Sequence, residues 1–329
     1  MSLHPAKPPI LVTRRIPSSV LARLEAACGV DLHAGEGAMA RDDLLARIGG
    51  KQALMCLLTD RIDAAIMDAG PDLRIIANVA VGFDNIDRAA ARDRGIIVTN
   101  TPDVLTEATA EFTWGLVLSV TRRIPEGERL LRRGEWRGWA LDFMLGSELR
   151  DKQLGIVGMG RIGQAVAARA PAFGMDVAYC SADPVVLSYS GVLPLPPMQR
   201  MALDQLLSTS HVVTLHVPLT PETRHLVDQR ALVRMRRSAY LINTSRGPVV
   251  DEAALAWALR ERVISGAGLD VYEREPTVHA DLLGLENVVL APHLGSGTTE
   301  TRTAMADLAA RNVLAVLAGE PPLTPVPAG

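Results

Sequence analysis

Aromatic residues make up only 4% of this 329-residue chain. A core so poor in rings must be filled by small and branched aliphatics, which suits helices packed on buried parallel strands. Cysteine is scarce as well. Cys28, Cys56 and Cys180 are odd in number and far apart, which excludes a disulfide framework and a CxxC metal site and points to a reducing compartment, the cytoplasm. Long apolar runs are missing too. Near the N-terminus only Ile10-Leu11-Val12 is apolar, too little for a signal-peptide core, and the stretch from Ala108 to Thr121 is too short to span a bilayer, so no membrane is expected. Nor is there a surplus of one charge, since 34 basic residues face 37 acidic ones. Nucleic acid is therefore not an expected partner, and the clusters Arg122-Arg123, Arg132-Arg133 and Arg234-Arg236-Arg237 read as solvated helix faces. No His/Cys/Asp/Glu group has metal-ligand spacing, so no metal is expected.

What is present is rhythm. The length suggests two domains at about 100–200 residues each. The first hundred residues alternate strand-like runs (Ile10–Thr13, Ala53–Leu58, Leu73–Val79, Ile96–Thr99) with helical stretches, as an open parallel sheet requires. A buried helix then runs through Trp114-Gly115-Leu116-Val117-Leu118. A second alternating series starts at Leu154–Val157 and recurs at Val177–Tyr179, Val212–His216, Ala239–Asn243, Gly266–Asp270 and Val288–Leu290, enough strands for a complete doubly wound sheet. The Pro-rich stretches 192–197 and 321–327 read as loop and tail.

The first chemical signal is Gly158-Met159-Gly160-Arg161-Ile162-Gly163, a GxGxxG that follows a strand and opens a helix. The first glycine permits the tight turn, the second lets backbone approach a pyrophosphate, and the third lets helix pack on strand. Pro171 should kink or end that helix. An acidic residue about 20 positions on would bind the adenosine ribose. Asp183 fits the loose count, but Ser181 better fits the strand end, and a serine neither repels a 2′-phosphate nor grips the ribose diol. NAD and NADP both stay open. Ser181 tips the balance slightly to NADPH, while Ala182 removes the arginine that would hold its phosphate and Asp183 could reverse it.

Together with that motif, the segments Asn78–Asp87, Thr106–Glu111, His216-Val217-Pro218-Leu219-Thr220, Asn243-Thr244-Ser245-Arg246-Gly247, Gly268–Pro276 and Pro292-His293-Leu294-Gly295-Ser296 occur in an order that resembles the D-isomer-specific 2-hydroxyacid dehydrogenases, in particular their glyoxylate and hydroxypyruvate reductase branch. The resemblance covers nearly the whole chain. It implies an α/β fold of two doubly wound parallel-sheet domains with a hinged cleft: a Rossmann cofactor domain, residues 102–295, inserted into a flavodoxin-like substrate domain, residues 1–101 and 296–329. It implies Arg246, Glu275 and His293 as the catalytic trio. Thr109, Gly158, Gly160, Arg161, Ile162, Gly163, Ser181, Val217, Pro218, Thr244 and Asp270 would contact the cofactor. Val81, Gly82 and Ser296, with Arg246 and His293, would contact a small 2-keto acid. The Arg137-Gly138-Trp139 stretch resembles the arm of a homodimer, with Trp139 near the interface. His211 replaces the family's aspartate and reads as a local surface change.

The trio also suits its chemistry independently of the family. Reducing a 2-keto acid needs a cation for carboxylate and carbonyl, a proton donor at the carbonyl oxygen, and a fixed hydride donor. Arg246 offers a planar, permanently charged fork, and His293 is the residue type that can give a proton in reduction and take one in oxidation. A carboxylate such as Glu275 favours the charged imidazole. Singly, each residue reads as an ordinary surface or turn position; jointly, each falls just beyond a strand of the second sheet. Two alternatives stand beside the reductase. One is a dinucleotide-sensing binding protein like the dehydrogenase-like corepressors. The other is a phosphoglycerate dehydrogenase lacking a regulatory domain.

Overall fold

Short aliphatic stretches build the first sheet: β1 (Pro9–Val12), β2 (Gly29–Leu32), β3 (Ala53–Cys56), β4 (Ile75–Asn78) and β5 (Ile97–Thr99). All pair in parallel in the order β2-β1-β3-β4-β5, the flavodoxin-like arrangement. Successive side chains of a strand face opposite sides, and here both sides are buried. Leu54 and Cys56 join one core cluster with Ile66 and Ile76, while Ala53 and Met55 join the other with Ile75 and Ala77. The long helix Thr299–Leu317 closes the second face with Ala306, Ala309, Ala310, Val313 and Val316, a helical stripe of mostly small residues that sits close on the strands.

The second sheet comprises β6 (Gln153–Val157), β7 (Asp176–Cys180), β8 (Met198–Arg200), β9 (Val212–Leu215), β10 (Tyr240–Asn243), β11 (Gly266–Leu269) and β12 (Val288–Leu290). It too is wholly parallel, in the order β12-β11-β10-β9-β6-β7-β8. The order reverses between β6 and β9, which makes the carboxyl edge there the expected ligand crevice of a doubly wound sheet. Helix Thr106–Thr121 covers one face through Ala110, Trp114, Val117 and Val120. Trp114 stacks on Phe173 at 4.4 Å, and its indole N–H donates to the Val166 carbonyl at 3.1 Å. The helix behind the glycine motif spans Arg161–Arg169 and stops at the 3-10 turn Ala170–Phe173, where Pro171 removes the backbone donor.

This computed structural model describes residues 7–182, 185, 189, 191 and 193–327. It divides into two units, 1–105 with 298–329 and 106–297. Asp183 and Val192, both used in the sequence reading, lie outside the described residues. No helix among the described residues is long and apolar enough to cross a membrane.

Three local readings need correction. The segment 321–327 is more than a tail: Pro325 bridges Thr99, and the Val326 amide donates to the Val98 carbonyl at 2.9 Å, extending the β5 edge. His211 is no simple surface change, because its half-buried Nδ1 accepts the first amide of β6, from Gln153, at 3.1 Å. Burial and the charges of Arg236 and Lys152 push its pKa down, which keeps that nitrogen an acceptor. Arg123 is a left-handed residue before helix Ile124–Arg132 and forks onto Glu126, so it is not simply a solvated helix-face charge.

Candidate active site

Every strand of the second sheet except β8 is followed by a residue singled out by the sequence. Gly158 follows β6, Ser181 follows β7, Val217 and Pro218 follow β9, Thr244 and Arg246 follow β10, Asp270 follows β11, and His293 follows β12. The strand ends thus gather the glycine turn, the cation and the histidine along one edge.

The glycine turn has the geometry its motif requires. Gly158 adopts φ +96, and a Cβ there would lie 2.5 Å from the His216 carbonyl oxygen. A Cβ on Gly163 would meet the Gly158 oxygen at 2.2 Å. Gly160 differs, since a Cβ there would meet nothing of the protein within 4 Å. Its lack of a side chain leaves open space in front of the helix that begins at Arg161, where backbone amides and the helix dipole favour a phosphate. These residues fit a dinucleotide pyrophosphate. Below the turn, burial pushes the His216 imidazole down to about 3 while its Nε2 lies 2.9 Å from the Thr214 hydroxyl, so it serves as a neutral support.

Arg246 is presented by the loop that leaves β10. The buried Asn243 side chain accepts from the Ser245 amide at 3.0 Å and the Ser245 hydroxyl at 2.8 Å, and donates to the Arg246 carbonyl at 2.9 Å. Gly247 follows with no room for a side chain, because a Cβ would come within 1.9 Å of the Tyr272 carbonyl carbon. That close approach sets the arginine loop against the segment carrying Glu275. One Glu275 oxygen accepts from the Tyr272 amide at 3.2 Å; the other lies 2.9 Å from His293 Nδ1. Burial pushes the Glu275 carboxyl up, but the hydrogen bond and charge of His293 and the charge of Arg246 outweigh it and hold its pKa below the ordinary value. An ionised carboxylate only accepts, so the Nδ1 that faces Glu275 carries the hydrogen.

A carboxyl 13C titration is expected to show Glu275 protonating below the reference of about 4.3. Its folded pKa lies under the unfolded one, so the pair's stabilisation is present above that reference and fades as pH falls through the folded value. In His293→Asn the burial cost is left without the histidine's opposing interactions, and the Glu275 pKa is expected to rise. An unchanged Glu275 titration would contradict the pairing.

Asp270 holds the histidine loop. Its carboxylate accepts from the Leu294 amide at 2.6 Å and the Gly295 amide at 2.7 Å, while its own carbonyl accepts from the His293 amide at 3.0 Å. Burial raises the Asp270 pKa despite those amides. His293 itself stands at φ +53, a conformation uncommon for a side-chain-bearing residue. Thr109 and Thr244 also meet in this region through a residue the sequence reading passed over. The Thr113 hydroxyl lies 3.0 Å from that of Thr244 and donates to the Thr109 carbonyl at 2.8 Å. A second histidine–carboxylate pair, His225 Nε2 with Glu273 at 3.1 Å, belongs to the support: Glu273 also accepts the first amide of helix Glu252–Arg260 at 2.9 Å.

In the first unit, Val81 and Gly82 lie in the turn after β4. Asn100 donates to the Val81 carbonyl at 2.7 Å and Asn78 to the Gly82 carbonyl at 2.9 Å. Among the described residues no hydrogen bond uses the amides of Val81 and Gly82. Arg161 and Ser296 stand at the surface and half-buried, respectively. A cavity of about 610 Å³ opens elsewhere, at the amino ends of β10, β11 and β12, lined by Arg123, Glu126, Tyr240, Arg262 and Glu286; no member of the trio borders it.

Residues 114–295 match the family model for the NAD-binding domain of D-isomer-specific 2-hydroxyacid dehydrogenases. The chain is 48% identical to a glyoxylate reductase of Thermofilum pendens over 96% of this chain and 94% of that one. Among solved structures it is similar to the TT0316 protein of Thermus thermophilus, with 45% identity, TM-score 0.89 and coverage of 97% and 100% of the two chains. It is also similar to an NADPH-dependent glyoxylate/hydroxypyruvate reductase of Sinorhizobium meliloti in complex with NADP and malonate, with 37% identity, TM-score 0.85 and coverage of 98% and 97%.

Proposed function

The chain belongs to the D-isomer-specific 2-hydroxyacid dehydrogenases, and from that premise we propose that it reduces glyoxylate, hydroxypyruvate and similarly small 2-keto acids to 2-hydroxy acids, of D configuration where the product is chiral. The observation that carries the reading is His293 oriented by an ionised Glu275 at the strand edge that also presents Arg246. Residues 158–163 would hold NADPH or NADH, which supplies the hydride when bound. Thr109, Ser181, Val217, Pro218, Thr244 and Asp270 are assigned to the same group.

The chain's own residues then divide the work. The Arg246 fork orients the keto acid and stabilises the oxygen as negative charge develops on it. His293 Nε2 donates the proton to that oxygen, and Glu275 fixes the ring's tautomer and balances the imidazolium. Val81 and Gly82 are assigned to the substrate carboxylate through their amides, and Ser296 to the substrate.

The chain is further proposed to work as a homodimer. The exposed apolar side chains Ile124, Leu131, Trp136, Trp139, Leu141 and Leu145 crowd into one short segment, more than a lone chain in water normally leaves uncovered. Trp139 is 79% exposed and is assigned to that interface. Light scattering at micromolar concentration should return twice the 35.3 kDa chain mass. With Cys28, Cys56 and Cys180 all free, the cytoplasm is the proposed compartment.

The test of activity is NADPH and NADH oxidation across glyoxylate, hydroxypyruvate, pyruvate and longer keto acids. Turnover greatest with the first two supports the proposal. Tight dinucleotide binding with no turnover on any of them would favour a sensing protein instead.

A further inference from the structure

The sequence lacks an arginine just after β7, where one could meet the 2′-phosphate of NADPH, because Ala182 stands there. The structure brings one from the neighbouring strand. β8 pairs in parallel with β7, setting Arg200 opposite Tyr179, and Arg200 ends its strand beside the end of β7. One guanidinium nitrogen, Nη2, donates to the Ser181 carbonyl at 2.9 Å and the Ala182 carbonyl at 3.3 Å. The same edge is tied to the glycine turn, since the Gly158 amide donates to the Cys180 carbonyl at 2.9 Å. The pyrophosphate turn, the ribose end of β7 and this cation are therefore contiguous.

We propose that Arg200, with Ser181, sets the cofactor preference by binding the 2′-phosphate of NADPH; the inference rests on the dinucleotide reading above. Arg200 is exposed, and among the described residues it makes no ion pair. Its contacts to the two carbonyls use Nη2, and the guanidinium keeps further donors on Nη1 and Nε. Anchoring the fork to main chain orders it before the ligand arrives, which lowers the entropy lost on binding. A phosphate is the group this fork matches best, through charge-assisted, bidentate hydrogen bonds. Ser181 adds a hydroxyl donor and, unlike an aspartate, no negative charge to oppose the phosphate.

Calorimetric titration of NADP+, NAD+ and 2′,5′-ADP into the full chain tests this without turnover. Wild type should bind NADP+ more tightly than NAD+. Arg200→Ala should weaken NADP+ and 2′,5′-ADP about 10- to 100-fold, in line with the loss of hydrogen bonds to a charged group, and change NAD+ less than about twofold. Arg200→Lys should keep part of the difference, and Ser181→Asp should invert the preference. Equal weakening of NADP+ and NAD+ in Arg200→Ala would make Arg200 a clamp on the end of β7 only and overturn the proposal. So would no change, or a wild type that favours NAD+. Those failures leave the dinucleotide reading standing, whereas a wild type that binds neither cofactor overturns both.

Discussion

His293→Asn is expected to lower the rate of glyoxylate reduction by about 10²- to 10⁴-fold, the contribution usual for a positioned general acid. Asparagine is the informative replacement. His293 holds φ +53, and asparagine tolerates that left-handed conformation better than most residues, so the loop tied to Asp270 can stay in place. What disappears is the titratable nitrogen opposite the one facing Glu275. The loss should fall on kcat, with KM and the cofactor dissociation constant within a few-fold of wild type. Steady-state kinetics beside fluorescence binding of NADPH separates these quantities. A variant that turns over within a few-fold of wild type would remove His293 from the chemistry.

Arg246→Gln is expected to lower kcat/KM by about 10²- to 10³-fold, the scale found when a donor to a developing oxyanion is removed. The surrounding loop should survive loss of the Arg246 Nη1 bond to the Ser245 carbonyl at 2.8 Å, because Asn243 and the close approach of Gly247 to Tyr272 also fix it. Arg246→Lys discriminates between charge and shape. A point charge can still attract a carboxylate, but it cannot bridge carboxylate and carbonyl as a planar fork does. Its loss should lie between wild type and glutamine. If lysine restored full activity, Arg246 would act by charge alone, and the orienting role would fail.

Much of this site is legible in the sequence because its signals are local. The glycine motif is read from six consecutive residues with a strand before and a helix after, and both sheets announce themselves through fully buried aliphatic strands such as β3 and β9. The strands that escape the reading are edge strands. β2 and β8 are short and largely unburied, with burial demanding no aliphatic run, so their pattern does not stand out from loop.

The supports of the site are hidden for another reason. Thr113 and Thr244 meet across 131 residues of sequence, and Asp270 reaches the loop of His293 across 24, contacts that no local pattern encodes. Asn243 carries an exception, since an asparagine at a strand end followed by Thr-Ser-Arg-Gly is a residue type suited to locking a turn. Arg200 is invisible at the cofactor edge because its strand is invisible.

The proposed reaction is direct hydride transfer to the carbonyl carbon of a 2-keto acid with protonation through His293. It is tested most directly with NADPH or NADH carrying deuterium at both positions of the nicotinamide C4, incubated with glyoxylate in ordinary water. Glycolate bearing one deuterium at C2 is expected, detected by mass spectrometry and proton NMR, with the rate of its formation collapsing in His293→Asn. Glycolate free of deuterium, or no glycolate while NADPH and NADH stay intact, would contradict it.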